Sequence, residues 1–402
     1  MDTPDVVATK AGRPLRACML AYTFYENDGR VLRYAEALAL EGAQVDAIVL
    51  RRTGQSGEDT INGVRVLRIQ ERQKNEPNKW VYLIRVMRFF FRSMFEITRR
   101  HLEAPYDIIH VHSVPDFEIF AAIIPKILGA KLVLDIHDIV PEFYAAKFKV
   151  SEQSMVFGVL KLVERASAAL ANHVIVANDL WLKKIAERSS HPAKCSAMIN
   201  FPDATIFDPG LRDRPADDRF IVMYPGTLSW HQGLDLAVAA LSLIADQAPR
   251  MELHIYGEGP ARDGLAAQIA ALGLQDRAFL RPPLPIRQIA KVMANADLGV
   301  VPKRNDAFGG DAFSTKTLEF MSLRVPLVVA DTRVDRFYFD DSLVRFFTPD
   351  SVEDLAAALL EAYAKPAQGA ARASHALEYA GANSWSHKKG EYLDIVGRLV
   401  HG

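Results

Sequence analysis

The sequence predicts an α/β protein with two doubly wound domains, and three observations support this fold class. First, short runs rich in β-branched residues alternate with longer runs of helical periodicity, as in parallel sheets covered by helices on both faces. Second, the alternation stops at 200–219, where Pro202, Pro209 and Pro215 give the segment the composition of a linker. Third, the alternation then begins again and ends in a helical pattern at 384–400.

The composition is compatible with this fold and excludes several function classes. The 402 residues are enough for two domains with full cores. A formal net charge of −1 gives no reason to expect nucleic acid as a partner. Cys18 and Cys195 lack the spacing of a disulfide framework or a zinc site, which favours a reducing compartment. Residues 1–16 are polar, and no segment is apolar over the length of a membrane span. We therefore expect a cytoplasmic protein that at most contacts a membrane surface.

Individual elements follow from hydrophobic periodicity and from the turn residues that bound each run. Predicted strands lie at 16–21, 44–50, 64–69, 107–112, 131–137, 174–177, 197–201, 220–224, 252–256, 278–280, 298–301 and 327–330. Helical patterns include 31–40, 117–128, 234–245, 314–323 and 384–400. We predict a first domain at 1–205 and a second at 206–383, with a final helix at 384–402 that packs back on the first.

Candidate binding loops follow strands in the second domain, because ligands of open α/β sheets bind beyond the carboxyl ends of the strands. The loop after strand 220–224 contains Gly226 and Gly233 and leads into a helix. Glycine lets a backbone approach a phosphate closely, and a helix N-terminus favours an anion. The next strand ends in a second glycine turn at Gly257 and Glu258. Each loop taken alone could also be an ordinary turn between a strand and a helix.

The third candidate is the segment around Ser314, which is a suitable N-cap for a helix to residue 323. Thr315 and Lys316 would place an amide, a hydroxyl and an ammonium in the first turn, and all three suit a diphosphate. Glu319 shares a helical face with Lys316 and could accept the hydroxyls of a ribose. The alternatives are a solvated side chain for Lys316 and a capping role or a surface salt bridge for Glu319.

Several segments in the same order resemble the family 4 glycosyltransferases, which are retaining enzymes of the GT-B fold. They are the glycine loop 226–233, IYGEGP at 255–260, LEFM at 318–321, VPLVVA at 325–330, DIIHVH at 107–112 and LDIHD at 134–138. The resemblance implies two Rossmann-like domains facing across a cleft that binds a nucleoside-diphosphate sugar. The STKTLEFM segment at 314–321 is similar to that of members that build polysaccharides, so we expect a glycan or lipid-linked acceptor. We find no cluster of metal ligands in the sequence and expect a reaction that needs neither cofactor nor metal.

The resemblance also assigns roles to single residues. The family's acidic pair falls on Asp311 and Glu319, of which Glu319 would hold the ribose and Asp311 would lie near the donor sugar. The family's histidine after the fifth strand falls on His137, close to the sugar and the acceptor. The turn after the first strand usually carries glycines against the diphosphate, and here it offers only Gly29.

The chain departs from the family where an arginine and a lysine usually contact the diphosphate, because Thr227 and Gln232 occupy those positions. We expect Lys316 to take most of this role, with His231 and Lys303 or Arg304 as other nearby cations.

The resemblance implies retention of anomeric configuration, and the first half offers no obvious nucleophile. Front-face attack, in which the departing phosphate takes the acceptor proton, is therefore preferred to a covalent intermediate. His137 would position the sugar, although it could also be an ordinary strand-end histidine.

Metal binding is not expected. His110 and His112 point to the same face of one strand. We expect neither a cysteine nor a carboxylate beside them, which favours buried or acceptor-side roles over metal binding.

The segment 79–101 predicts an amphipathic helix with Arg85, Arg88, Arg92 and Arg99 on one stripe. Aromatic residues, Trp80 among them, spread over the remainder. A basic stripe beside an aromatic face suits an anionic membrane interface. Packing on two sides within the domain is the alternative.

Two other functions remain compatible with the sequence. A sugar-nucleotide epimerase of the same fold would use a carboxylate pair and need no acceptor. A catalytically inactive protein would bind the donor as part of an assembly, which the missing cations at Thr227 and Gln232 make conceivable.

Overall fold

The computed structural model describes residues 12–72, 79–148, 150–214 and 217–402. The chain forms two compact units, Met1–Asn200 with Lys389–Gly402, and Phe201–Lys388, here called the N-terminal and C-terminal units. The chain passes from the N-terminal to the C-terminal unit after residue 200 and returns after residue 388, whereas the predicted boundaries follow residues 205 and 383.

The strands of the two units were largely predicted, with differences at the edges. In the N-terminal unit they are β1 Arg16–Ala21, β2 Gln44–Arg51, β3 Glu58–Ile61, β4 Val64–Glu71, β5 Ile108–His112, β6 Lys131–Ile136, β7 His173–Val176 and β8 Cys195–Ala197. In the C-terminal unit they are β9 Phe220–Pro225, β10 Met251–Tyr256, β11 Ala278–Arg281, β12 Leu298–Val301, β13 Leu327–Ala330 and β14 Arg345–Phe347. The predicted strand 197–201 shares only Ala197 with β8.

Helices alternate with these strands. They are α1 Gly29–Leu40, α2 Lys79–Glu103, α3 Ile123–Ile127, α4 Val140–Phe148, α5 Met155–Leu170, α6 Asp179–Arg188, α7 Leu234–Leu243, α8 Arg262–Ala271, α9 Ile286–Ala294, α10 Thr315–Ser322, α11 Arg333–Tyr338, α12 Val352–Ala364, α13 Pro366–Ala382 and α14 Trp385–His401. The pattern at 117–128 forms a 3₁₀ segment, Asp116–Ala122, followed by the short α3. None of the described helices is both long and apolar enough to cross a membrane.

The N-terminal unit contains a sheet with the strand order β3-β4-β2-β1-β5-β6-β7-β8. All of its pairings are parallel except that of β3 with β4. Strand β5 is buried at every residue, and β1 and β6 are buried at every residue except the first, because helices cover both faces of the sheet. The chain moves from β1 to one side and later continues at β5 on the other, so the switch point lies between β1 and β5.

The C-terminal unit contains a parallel sheet with the strand order β11-β10-β9-β12-β13-β14. Its switch point lies between β9 and β12, since β10 extends the sheet on one side and β12 on the other. The loops after β9, β10 and β12 therefore meet at one edge of the sheet. These are the three loops that the sequence singled out.

Candidate functional site

Glycines allow the loops of the C-terminal unit to pack closely at this edge. Gly233 and Gly257 have φ values of +62° and +156°, which side-chain-bearing residues rarely adopt. A Cβ atom at Gly233 would overlap the carbonyl oxygen of Pro302, and one at Gly257 would overlap that of Gly226. The loops thus touch through their backbones, and glycine is required at both positions.

Lys316 extends from the first turn of α10 to the loop after β9. A Cβ atom at Gly226 would overlap its Cε, so the glycine creates the space for this side chain. The ammonium Nζ lies 5.3 Å from the centroid of the Tyr224 ring. Burial lowers the pKa of Lys316, Glu319 opposes that shift, and Lys303 adds to it. This poorly solvated cation would be stabilised by a bound anion.

Ser314 is the residue before α10, but its hydroxyl does not cap the helix. The side chain is 9% exposed, and within the described part of the chain its Oγ has no hydrogen-bond partner. Thr315 follows as the first residue of the helix. The N-cap position of Ser314 was predicted correctly, but its side chain does not form the expected capping hydrogen bond. The buried hydroxyl and the start of α10 therefore offer donors beside Lys316.

The other cations considered as substitutes are already paired with carboxylates. Lys303 is buried, and its Nζ lies 2.7 Å from Asp335 Oδ2 and 2.7 Å from the carbonyl oxygen of Ala312. Arg304 forms ion pairs with Asp235 and Asp350.

His231 and the two non-basic positions complete this comparison. His231 Nδ1 lies 2.7 Å from a carboxylate oxygen of Asp306. Gln232 accepts a hydrogen bond of 2.8 Å from the Tyr224 hydroxyl, and Thr227 is exposed. Among the four candidate cations in the described structure, Lys316 is the one outside an ion pair.

The acidic candidates have different surroundings. Asp311 is 2% exposed, and its Oδ1 lies 2.8 Å from the guanidinium of Arg333. Glu319 is half-buried on α10, and Glu258 is exposed in the turn after β10.

In the N-terminal unit, a cavity of about 210 Å³ lies at the switch point between β1 and β5. Its walls come from the ends of β1, β5 and β6 and include Asp28, His112, Ser113, His137 and Asp138. Gly29 begins α1 beside this cavity, and a Cβ atom there would meet nothing within 4 Å. The packing around the start of α1 therefore does not require glycine at this position.

His137 belongs to a buried network centred on Asp135, which the sequence reasoning missed. Asp135 Oδ2 lies 3.0 Å from His137 Nε2 and 3.2 Å from His112 Nδ1. Arg30 binds both carboxylate oxygens, at 2.7 and 2.6 Å. Although burial opposes it, the Arg30 guanidinium holds the pKa of Asp135 well below its usual range. An aspartate inside an otherwise apolar strand was the signal for this network.

The expectation that no carboxylate lies beside His110 and His112 was wrong. Strand β6 is adjacent to β5 and places Asp135 next to both histidines. The side-chain atoms of these three residues could hold a metal ion by proximity. Arg30 already occupies the carboxylate, however, and its fixed positive charge opposes a second cation there. Burial lowers the pKa values of both histidines, although Asp135 opposes the shift, and this favours their neutral forms at neutral pH.

Helix α2 buries one face and exposes another, which contradicts the alternative of packing on two sides. Val86, Phe89 and Ile97 are at most 2% exposed, whereas Phe91 and Phe95 are 59% and 68% exposed. An open groove of about 800 Å³ runs along these phenylalanines and is also lined by arginines, among them Arg88, Arg92 and Arg100. The side chain of Trp80 lies outside the described residues.

The predicted basic stripe of α2 is only partly available. Arg99 forms ion pairs with Glu96 and Glu103, and Arg85 is half-buried. Arg92 donates to the Ile69 carbonyl oxygen, and desolvation together with the nearby Arg88 and Arg51 lowers its pKa. Positive charge is therefore concentrated at Arg88 and Arg92, next to Phe91 and Phe95.

Two α/β units with glycine-lined loops at a switch point define a protein of the doubly wound α/β class. The family model described as "Glycosyl transferase 4-like domain" matches residues 29–200, and the model described as "Glycosyl transferases group 1" matches residues 212–382. The chain belongs to the GT-B glycosyltransferases of the family 4 type, as the resemblance implied.

Curated relatives and solved structures are similar to large parts of the chain. An alpha-D-kanosaminyltransferase of Streptomyces kanamyceticus is 26% identical over 56% of this chain and 58% of its own length. A D-inositol 3-phosphate glycosyltransferase of Catenulispora acidiphila is 24% identical over 77% of each chain. The match thus spans just over half of the first relative and about three quarters of the second.

Among solved structures, sucrose-phosphate synthase from Thermosynechococcus elongatus has a TM-score of 0.79 at 18% identity, covering 96% of this chain and 99% of its own. HepE from Anabaena, in complex with UDP and glucose, has a TM-score of 0.71 at 15% identity, covering 96% and 100%. These similarities confirm the predicted fold class.

Proposed function

We propose that the protein transfers a sugar from a nucleoside-diphosphate sugar to a glycan or lipid-linked acceptor, with retention and without a metal ion. We further propose a cytoplasmic role in assembling a cell-surface polysaccharide. The observation that carries the donor part is Lys316, a half-buried ammonium outside any ion pair in the described structure, beside Gly226 and the start of α10. Its environment suits the two negative charges of a diphosphate, which Thr227 and Gln232 cannot neutralise.

The leaving nucleoside diphosphate gains negative charge as the glycosidic bond breaks. Donors that are fixed before the reaction stabilise that charge without reorganisation. Lys316, the Ser314 hydroxyl, Thr315 and the first turn of α10 are proposed to act in this way. Glu319 is assigned to the ribose and Asp311 to the donor sugar. Gly257 and Glu258 belong to the adjacent loop and contribute backbone to the same edge.

Retention is proposed to proceed by front-face attack, in which the departing phosphate accepts the proton of the acceptor hydroxyl. His137 is assigned a positioning role toward the sugar.

The donor site is tested by thermal unfolding with UDP, GDP, ADP, CMP and NAD, each measured once with EDTA and once with Mg²⁺. UDP is the first probe because the HepE structure contains it. Binding to the native state alone adds about 2.7 kcal/mol of stability when the ligand is present at 100 times its Kd. We expect one nucleoside diphosphate to raise the Tm, and Lys316→Ala and Glu319→Ala to abolish that increase.

Lys291→Ala is the matched control, because Lys291 forms an exposed pair with Asp213 and should not affect the increase. Stabilisation by NAD alone would contradict the proposal, and a requirement for a divalent ion would contradict metal independence. Stabilisation without turnover would favour the inactive donor-binding protein. Release of the nucleoside diphosphate with a free epimerised sugar would favour the epimerase.

Contact with an anionic membrane through 79–101 is proposed for the exposed face of α2. Its most exposed apolar side chains are Ile84, Phe91, Phe95 and Leu102, at 59–68% exposure. Arg88 and Arg92 adjoin them. Apolar insertion combined with attraction to anionic lipid is the usual basis of interfacial binding, and a surface-bound enzyme would meet a lipid-linked acceptor there.

Flotation with phosphatidylglycerol vesicles tests this contact. Arg88→Glu with Arg92→Glu should release the protein, because each arginine near an anionic surface contributes about 1 kcal/mol of binding free energy. Arg281→Glu with Arg287→Glu, which makes the same change of net charge in the C-terminal unit, should leave flotation intact. Equal flotation of both double variants would refute the electrostatic contribution.

A further inference from the structure

His137 is anchored through one of its two ring nitrogens. Its Nε2 lies 3.0 Å from Asp135 Oδ2 and 3.3 Å from His112 Nδ1. Its side chain is 21% exposed and forms part of the wall of the cavity of about 210 Å³. Within the described residues, no hydrogen bond to Nδ1 is formed. The ring therefore connects the buried network to the cavity.

The chemistry of Asp135 decides which nitrogen of His137 carries the proton. Asp135 is fully buried, and its contacts with the Arg30 guanidinium favour the ionised carboxylate, whose oxygens can only accept hydrogen bonds. Nε2 of His137 lies 3.0 Å from such an oxygen, and we assign the proton to Nε2 because a lone pair there would be repelled by the carboxylate. A neutral ring with Nε2 protonated has its lone pair on Nδ1.

Arg30 makes this arrangement possible. Its two hydrogen bonds hold the Asp135 carboxylate in one orientation, and a third links Arg30 to the Met198 carbonyl oxygen at 2.6 Å. The guanidinium also balances the charge of Asp135, so the carboxylate does not need a protonated histidine as its counter-ion.

From this geometry we propose that Asp135, held by Arg30, is the positioning residue that fixes the ring of His137 and presents its Nδ1 as a hydrogen-bond acceptor to the cavity. The ligand chemistry that this nitrogen would take is a hydroxyl group, such as one on a sugar. The inference rests on the proposed function for the identity of that ligand. The tautomer and the role of Asp135 do not depend on it.

The test reads the tautomer directly from long-range ¹H–¹⁵N correlation spectra of protein labelled at histidine. The His137 signals are identified by their loss in His137→Gln. We expect a protonated Nε2 and an unprotonated Nδ1. A protonated Nδ1 in the unmodified protein would overturn the proposal.

Variants separate positioning from folding. Asp135→Leu with Arg30→Met removes both charges and the acceptor, and apolar replacement of a whole buried ion pair is often tolerated. In this variant the signals of His137 should change to those of a mixture of tautomers. Asp135→Asn with Arg30→Met retains an amide oxygen and should preserve the Nε2–H form.

His173, whose Nε2 lies 2.9 Å from Ser196 Oγ on neighbouring strands, reports on the fold in the same spectra. If His173 is unchanged and His137 keeps its tautomer in the leucine variant, Asp135 does not position the ring. If His173 also changes, the double alanine substitution Asp135→Ala with Arg30→Ala is measured by the same spectra, and an unchanged His137 there overturns the proposal. Failure of the proposed function would appear instead as absent nucleotide binding with the tautomer intact.

Discussion

At two positions in the loops of the C-terminal unit, the space available for a side chain decides which residue can be accommodated. Gly233 and Gly257 combine a positive φ with backbone carbonyls where a Cβ atom would lie. Gly29 has neither constraint, although the sequence placed all of these glycines in the same category.

Gly233→Ala and Gly257→Ala should therefore lower the free energy of unfolding by at least about 1–3 kcal/mol each, because strain and overlap act together. Gly29→Ala should leave stability unchanged or slightly higher, since it lies at the start of a helix with open space around it. Urea unfolding measures all three variants. Equal stability of Gly233→Ala and the unmodified protein would show that the loops can separate at no cost.

Glu118 is another residue whose environment determines its behaviour. It is 1% exposed, and neither carboxylate oxygen has a hydrogen-bond partner in the described structure. Burial raises its pKa to about 8. Desolvation similarly raises the pKa of Asp116 to about 7.

Because the folded state binds these protons more tightly than the unfolded state, their stabilising contribution is complete below about pH 4 and is lost as the pH rises toward 8. Each group contributes a slope of about −1.4 kcal/mol per pH unit within its interval. Glu118→Gln should flatten the decrease in stability between pH 5 and 8, measured by urea unfolding. Glu187→Gln, at an exposed position on α6, should retain it, and an unchanged slope in Glu118→Gln would contradict this explanation.

At the scale of elements, the helices differ in how much of their surface is covered. The 3₁₀ segment Asp116–Ala122 packs between α2 and α5, where the sequence had predicted one continuous helix. Helix α2 leaves Phe91 and Phe95 exposed to solvent. The strands missed by sequence reasoning, β3 and β14, are short edge strands: β3 is exposed and polar, and β14 has only three residues. Their pairing comes from the neighbouring strand and not from their own pattern.

Helix α14 shows how a distant segment completes an element's environment. Tyr392 is fully buried, its ring centroid lies 4.3 Å from that of Tyr34, and its hydroxyl lies 3.1 Å from His110 Nδ1. The C-terminal helix thus contributes to the N-terminal unit, next to the Asp135 network.

Tyr392→Ala should lower the free energy of unfolding by about 3–5 kcal/mol through loss of a buried aromatic ring. Tyr392→Phe keeps the ring and should cost about 1 kcal/mol for the lost hydrogen bond. Urea unfolding with fluorescence and circular dichroism measures the difference. Similar losses in both variants would mean that the hydroxyl, and not the packing, holds the helix.

For the whole molecule, the sequence by itself determined the class of fold. Strand-like apolar runs that alternate with runs of helical periodicity predicted parallel sheets. Each run can be recognised locally, because its spacing of apolar residues reflects which face of that element is buried. The ordered motifs of both halves then indicated the family, and the matches at 29–200 and 212–382 support it. The loops after β9, β10 and β12 were also visible, because glycines and a helix start are local signals.

Only the tertiary structure decided which of the charged residues are available. The sequence already favoured Lys316 but kept Lys303, Arg304 and His231 as nearby substitutes. All three substitutes are paired with carboxylates that are distant along the chain. Asp135 and His137 are two residues apart, but Arg30 and His112 reach them only when α1 and β5 pack against β6. Long-range ion pairs depend on side-chain positions that no local pattern specifies. The periodicity of the sequence therefore predicts where loops gather, whereas three-dimensional packing determines which side chains remain free to bind.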